Sequence, residues 1–325
     1  SVSAGWRISE EPFFKDSALS FINQLKIRAS YGVLGDDNSM NYEWISGYTF
    51  RGGETAGDGK GWHQGYAPGY MFNGNFVYSV DPSSLPNQNI TWLRSTTFNI
   101  GADFEAWRGK LGASFDYFQR IRRGIFSRNS VGLPTIVGAS APYENLDSDS
   151  HLGLELELYH KNRVGEFSYE VKTMMSVTRQ KHLVASQNGG YGNSYDKWRH
   201  DNLNNRYQGV QFGYEAAGRY ESWEDIWSYD IYKENNLLPG DYKYLDWNGD
   251  GEINGYDAHP IAFDQTPWMN YSLSFSLAWK GLDFSMLWQG SALGSMKYSE
   301  PLYNIWGSTG GGTLVQYLDR WHPTE

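Results

Sequence analysis

The chain has 325 residues, a formal net charge of −10 and no cysteine. Its length suits two average domains or one large β domain. The missing cysteines exclude disulfides and thiolate metal sites, and the acidic balance excludes nucleic acid, because nothing supplies the basic stripe that phosphates require.

A mean hydropathy of −0.60 and the lack of a long apolar run exclude membrane-spanning helices. A membrane β-barrel stays open, since its strands alternate apolar and polar residues and average to a hydrophilic score. The chain opens on SVSAGWRI, already alternating like a strand, with neither an initiator Met nor a signal peptide. Next, Leu25, Ile27, Ala29, Tyr31 and Val33 take every second place, with Lys26, Arg28, Ser30 and Gly32 between them. That is the period of a strand with one apolar face.

A long connection, 35–69, follows. Within it RGGETAGDGKGWHQGYAPG (51–69) fails as a phosphate loop, because Glu54 stands where the first Gly belongs and Gly61 where Ser or Thr belongs. It reads as a surface loop. Phe98, Ile100, Ala102 and Phe104 then alternate with polar residues, turn at Trp107-Arg108-Gly109, and resume at Leu111, Ala113, Phe115 and Tyr117. This is a hairpin. A long segment, 124–150, separates it from a second, in which Leu152, Leu154, Leu156 and Leu158 face Phe167, Tyr169, Val171 and Met175 across KNRVGE. After a third long segment, 180–268, Tyr271, Leu273, Phe275, Leu277 and Trp279 face Leu282, Phe284, Met286 and Trp288 across Lys280-Gly281. TLVQYLDRW (313–321) reads as a short amphipathic helix just before the chain stops at LDRWHPTE. Both ends look cut, so the chain reads as part of a longer polypeptide.

The strands are predicted to run about nine to eleven residues or more, the span a tilted strand needs to cross hydrocarbon. Short turns alternate with long loops, the habit of outer-membrane barrels. Trp107, Tyr159, Trp268, Trp279 and Trp288 at strand ends suit interfacial girdles. The pattern therefore favours an all-β, antiparallel transmembrane barrel over a soluble sandwich.

No catalytic constellation emerges. The His residues at 63, 151, 160, 182, 200, 259 and 322 lack zinc-ligand spacing, and there is no GxSxG elbow. The chain is expected not to be an enzyme. One motif survives: DWNGDGEINGYD, residues 246–257, fills the ligand positions of a twelve-residue calcium loop, a reading favoured over an Asp/Asn/Gly-rich turn that binds nothing. Asp246, Asn248 and Asp250 take positions 1, 3 and 5, and Gly251 takes the turn at 6. The Glu252 carbonyl takes 7, Asn254 takes 9 and Asp257 takes 12. Ile253 is expected to point inward as an anchor. Asp257 is shorter than the usual Glu, so affinity is expected to be modest, enough for millimolar calcium outside cells. The flanks are not helical, so the ion is expected to fix a loop rather than to signal.

Taken in order, SVSAGWRISEEPFF, LKIRASYGVLGDDN, NITWLRSTTFNIGADFEAWRGKLGASFDYFQR, GLELELYHKNRVGEFSYEV, PGDYKYLDWNGDGEIN and YSLSFSLAWKGLDFSMLWQG resemble motifs of the SusC/RagA-like TonB-dependent outer-membrane transporters of Bacteroidetes. The resemblance covers nearly the whole chain. It implies part of a roughly 22-stranded barrel, with the plug domain and final strands lying outside this chain. It also implies a SusD-like surface lipoprotein as lid, TonB-ExbB-ExbD as energy source, surrounding outer-membrane lipids, and import of oligosaccharides or peptides. The region 180–268, with the calcium loop, would then be extracellular.

Two other functions remain open from sequence: a secreted calcium-dependent carbohydrate-binding or adhesin β-sandwich, and a TonB-dependent siderophore or cobalamin receptor. Loop aromatics such as Trp44, Trp62, Trp198, Trp223, Trp227, Trp247 and Trp306 either stack on substrate or pack their own loops.

Overall fold

The computed structural model describes residues 1–37, 42–50, 69–78, 80–82, 85–129, 133–137, 139–186, 194–229 and 236–298, with 315 and 318. Trp62, Trp306, nearly all of the loop 51–69 and most of 313–321 lie outside the described residues.

Eight strands form one antiparallel sheet in chain order: β1 (Val2–Arg7), β2 (Ile22–Asp36), β3 (Leu93–Ala106), β4 (Leu111–Arg128), β5 (Tyr143–Val164), β6 (Phe167–Val184), β7 (Met269–Trp279) and β8 (Leu282–Ala292). Each strand pairs with its sequence neighbours, so the topology is an up-and-down meander with β1 and β8 at its open edges. The three expected hairpins all form. Lys280 and Gly281 both take positive φ, the two-residue turn whose twist suits a hairpin. The second turn is tighter than KNRVGE, because pairing continues to Val164↔Phe167.

Register assigns the two faces. Ile27, Ala102, Phe115, Leu156, Met175 and Tyr271 fall in one row across six strands. One residue along, the row is Arg28, Gly101, Asp116, Glu155, Ser176 and Asn270. The apolar face has no second sheet over it among the described residues, and Phe115 and Phe284 are 44% and 50% exposed. A soluble sandwich would bury that face. The architecture is instead an open stretch of outer-membrane β-barrel, apolar side to lipid and polar side to the lumen.

Three expectations change. Strands β4, β5 and β6 run 18, 22 and 18 residues. Residues 124–128, 143–150 and 180–184 are therefore strand rather than loop. Polar pairs such as Arg122 with Asp149 continue the ladder past the apolar band. Tyr159 is not a girdle residue, since its register turns it to the polar face, where its ring lies over Gly112. Trp288 sits within β8, edge-on to Phe275, rather than at a strand end. Trp107 and Trp279 do mark the short-turn end, and Phe21 stacks on Trp107 at 5.5 Å.

At Gly112 the close approach is specific. A Cβ there would meet the Tyr159 ring at 2.2 Å. Gly112→Ala should destabilise the folded barrel by about 1–3 kcal/mol, the usual cost of overpacking. Pairing it with Tyr159→Ala should restore most of the loss. Urea unfolding of the micelle-bound protein, read as a double-mutant cycle, measures both.

Candidate functional site

Two regions carry polar chemistry: the lumenal face of the wall and the loop cluster between β6 and β7. On the wall, Arg28 of β2 reaches across two strands. Its Nε donates to Asp103 Oδ2 at 3.2 Å and its Nη1 to Asp116 Oδ1 at 2.8 Å, while Nη2 bonds Asp116 Oδ2 and Ser114. Ser114 in turn donates to Asp103 at 3.0 Å. The guanidinium fork suits this double recognition. Gly101, between the partners, has no side chain to interfere; a Cβ there would lie 2.7 Å from Asp116 Oδ1.

Toward the long-loop end, Arg122 pairs with Asp149, whose Oδ2 also accepts from Gln180 Nε2 at 2.9 Å. Asp149 is only 2% exposed. Toward the short-turn end, Lys172 meets Glu157 at 2.8 Å. The polar face thus carries three sets of charges paired across strands among the described residues. Sequence reasoning placed Arg28 and Asp103 on the polar face but left Asp149 and Gln180 in long loops, and it did not find the partners, which are up to 88 positions apart.

The loop cluster holds α2 (Tyr195–Asp201) and α3 (Trp223–Ser228), after a first helical turn, α1, at Pro12–Lys15. Its ladders pair Gln211–Gly213 with His259–Ala262 and Ala216–Arg219 with Tyr242–Tyr244. The calcium-type loop lies here, wound on its own backbone. Asp246 accepts the N–H groups of Gly249 (2.7 Å), Asp250 (3.2 Å) and Gly251 (2.8 Å). Asn248 accepts from the Asp250 N–H at 3.0 Å and donates to its carboxylate at 2.9 Å. Asp250 accepts from the Glu252 N–H at 2.8 Å.

Asp257 closes the loop. It is 1% exposed and accepts from the N–H groups of Trp247 (3.0 Å), Asn248 (3.3 Å) and Asn254 (2.7 Å). Asn254 accepts from the Tyr256 N–H at 2.9 Å, completing a reciprocal cap. Ile253 is buried at 3% exposure, pointing inward as expected. Among the described residues no three His, Cys, Asp or Glu side chains group as a metal site. The loop's donors are all oxygens, which is the chemistry a hard cation takes.

A clamp that spacing did not reveal grips this loop. Arg199 of α2 lies over the Trp247 ring at 4.5 Å and donates to the Tyr256 carbonyl. On Trp247, His259 stacks at 5.0 Å. The α3 unit has its own lock. Lys243 Nζ bonds Asp225 at 2.6 Å and lies 5.6 Å from the ring of Tyr220, which is buried. The Lys243 ammonium, with the Glu221 N–H, holds the Asp225 carboxyl below its ordinary range. Burial pushes the Tyr220 phenol up.

No family model matches the chain. It is 25% identical to TonB-dependent receptor P26 of Formosa agariphila, over 99% of this chain and 31% of the relative. It is 26% identical to TonB-dependent receptor SusC of Bacteroides thetaiotaomicron, over 88% of this chain and 26% of the relative. The solved RagAB peptide transporter matches with a TM-score of 0.66 at 17% identity, over 98% of this chain and 32% of that one. The RagAB peptide importer in its closed-closed state gives 0.61 at 17% identity, over 90% and 29%. The chain thus spans less than a third of these proteins. The structural likeness is one of fold.

Because the folded-state pKa of Asp225 is depressed, its contribution to stability is full above its unfolded value of about 4. That contribution disappears as pH falls through the lower, folded value. Hydrogen-exchange protection factors over 216–229 and 236–244, corrected for the intrinsic pH dependence of exchange, should therefore hold from pH 7 to about 5 and fall in more acidic solution. In Asp225→Asn the acid-dependent loss of protection should be missing, with protection already lower at neutral pH.

Proposed function

We propose that this stretch of SusC-like, TonB-dependent outer-membrane barrel forms part of the conduit of an importer for oligosaccharides or peptides. The observation that carries the proposal is the wall itself. It is a single sheet with apolar side chains facing outward and the Arg28–Asp103–Asp116 network facing the lumen. Similarity to SusC and to the RagAB peptide importer supports uptake of a polymeric nutrient, with a SusD-like lipoprotein over the long loops and TonB-ExbB-ExbD supplying energy. Import, not catalysis, is the activity in this reading. The siderophore or cobalamin alternative shares the barrel but draws no support from these relatives.

The test is capture of the native receptor from outer membranes in mild detergent, followed by mass measurement of everything retained. A surface lipoprotein held in near-equal amount, and loss of growth on one glycan or peptide source when the receptor gene is deleted, are the expected results. A receptor that comes down alone and is dispensable on every such source would overturn the proposal.

Within the loops we assign a structural Ca2+ to 246–257, held by Asp246, Asn248, Asp250, the Glu252 carbonyl, Asn254 and Asp257. Asp246 and Asp257 each already accept three backbone N–H groups. Each therefore keeps roughly one of about four acceptor sites for a cation. Such single-oxygen ligation supports binding in the range of about 10⁻⁴–10⁻³ M, typical of extracellular modules. Calcium titration of the purified receptor, read as hydrogen-exchange protection over 246–257, should saturate in that range. Asp246→Asn with Asp250→Asn should abolish the response while the barrel stays folded.

A further inference from the structure

Arg94 of β3 and Arg123 of β4 lie directly opposite one another in the ladder. Counting along each strand puts both on the lipid side. Phe104, Ala102, Ile100, Phe98 and Thr96 lead up to Arg94, and Leu111, Ala113, Phe115, Tyr117, Gln119 and Ile121 lead up to Arg123. Each run is about nine to eleven residues, the length that spans the hydrocarbon layer. The two arginines therefore emerge at the border of the outer leaflet, on the end of the barrel with long loops.

Like charges directly opposite in a sheet are destabilising. The neighbouring Arg122 points into the lumen and has Asp149. Arg94 and Arg123 are exposed and have no acidic partner among the described residues. Their surroundings are nevertheless fixed. The Asn145 amide donates to the carbonyls of Thr91 and Gly124, both at 2.8 Å, and accepts from the Thr91 N–H at 2.9 Å. This ties the start of β3 to the bulge beyond Arg123. Trp92, 68% exposed, lies against Gly35 on the same face. An amphipathic ring beside unpaired cations is the side-chain chemistry of a membrane interface.

We propose that Trp92, Arg94 and Arg123 form a docking site for the phosphorylated headgroup of an outer-leaflet lipid. One phosphate between the two guanidinium groups offsets their repulsion and supplies the acceptors that both lack. The inference rests on the outer-membrane barrel and is independent of what the barrel imports.

Native mass spectrometry of the complete receptor in detergent tests it, with phosphorylated lipid A and enzymatically dephosphorylated lipid A as probes. The wild type should retain the phosphorylated form and release the other. Arg94→Gln with Arg123→Gln should bind it roughly thirtyfold less tightly, whereas the double Lys variant should keep most of the affinity. Heat-modifiable gel mobility verifies folding. Should the Gln variant fail to fold, the two lipid probes on the wild type and the Lys variant still decide. Equal retention of both lipid forms by the wild type, unchanged binding in the folded Gln variant, or displacement of the lipid by equimolar inorganic phosphate would overturn the proposal. Substrate uptake by the Gln variant is measured in parallel. Intact uptake with lost lipid leaves the importer standing, and failed import with intact lipid binding counts against the importer alone.

Discussion

Everything in this structure depends on the backbone ladder. In hydrocarbon an unpaired N–H or C=O costs several kcal/mol, so each strand must pair with its neighbours along the whole membrane span. The pairing of β6 with β7, and of β7 with β8, runs unbroken through the eleven residues of β7. Because side chains alternate with period two, that register is all-or-none: a one-residue slip would put Arg28, Asp116 and Glu155 into lipid and the Leu and Phe rows into the lumen. The hydrophobic pattern and the hairpin turns therefore enforce the same pairing from two sides.

The ladder also explains why the charge network has the form it does. Arg28, Asp103 and Asp116 come from three adjacent strands and can meet only on the lumenal face. Arg28 and Asp103 are each about a third exposed at the side chain, 34% and 27%. Solvent screening leaves such pairs a small share of net stability. Their effect is on shape: a forked cation holding two carboxylates fixes side-chain positions along the lumenal face. Gly101 and Gly112 follow the same logic, each absent a side chain where a neighbour folds across the strand.

Alternation made most of the wall legible from sequence. The apolar rows of β2 to β8, the three hairpins and the aromatic end at Trp107 and Trp279 all follow from period and turn chemistry. Strand ends were not legible, because the extensions of β4 to β6 depend on pairs such as Arg122 with Asp149, and local pattern cannot see a partner 27 residues away. Tyr159 looked like an interfacial aromatic until register turned it inward over Gly112. In the loops, α2 and α3 are seven and six residues long, too short for helical periodicity to register. The spacing of 246–257 gave the loop and the inward Ile253, whereas the Arg199 clamp comes from a distant segment that spacing does not address.

That clamp is the end of a continuous line of contacts from wall to loop. At the top of β6, His182 donates its N–H to the Arg206 carbonyl at 2.8 Å, and Gln208 donates to the Gln180 carbonyl at 2.9 Å. Nearby, the Arg179 guanidinium is held between Tyr207 at 3.3 Å and Trp268 at 3.7 Å. The Arg206 side chain then donates to the carbonyls of Arg199 and His200, in the last turn of α2 where a cation suits the helix dipole. Arg199 in turn grips Trp247 and the Tyr256 carbonyl. Three arginines and the rings around them therefore set where the calcium-type loop sits relative to the barrel. The ion proposed for 246–257 would have a narrower effect, ordering the twelve residues themselves on a base that the protein has already fixed.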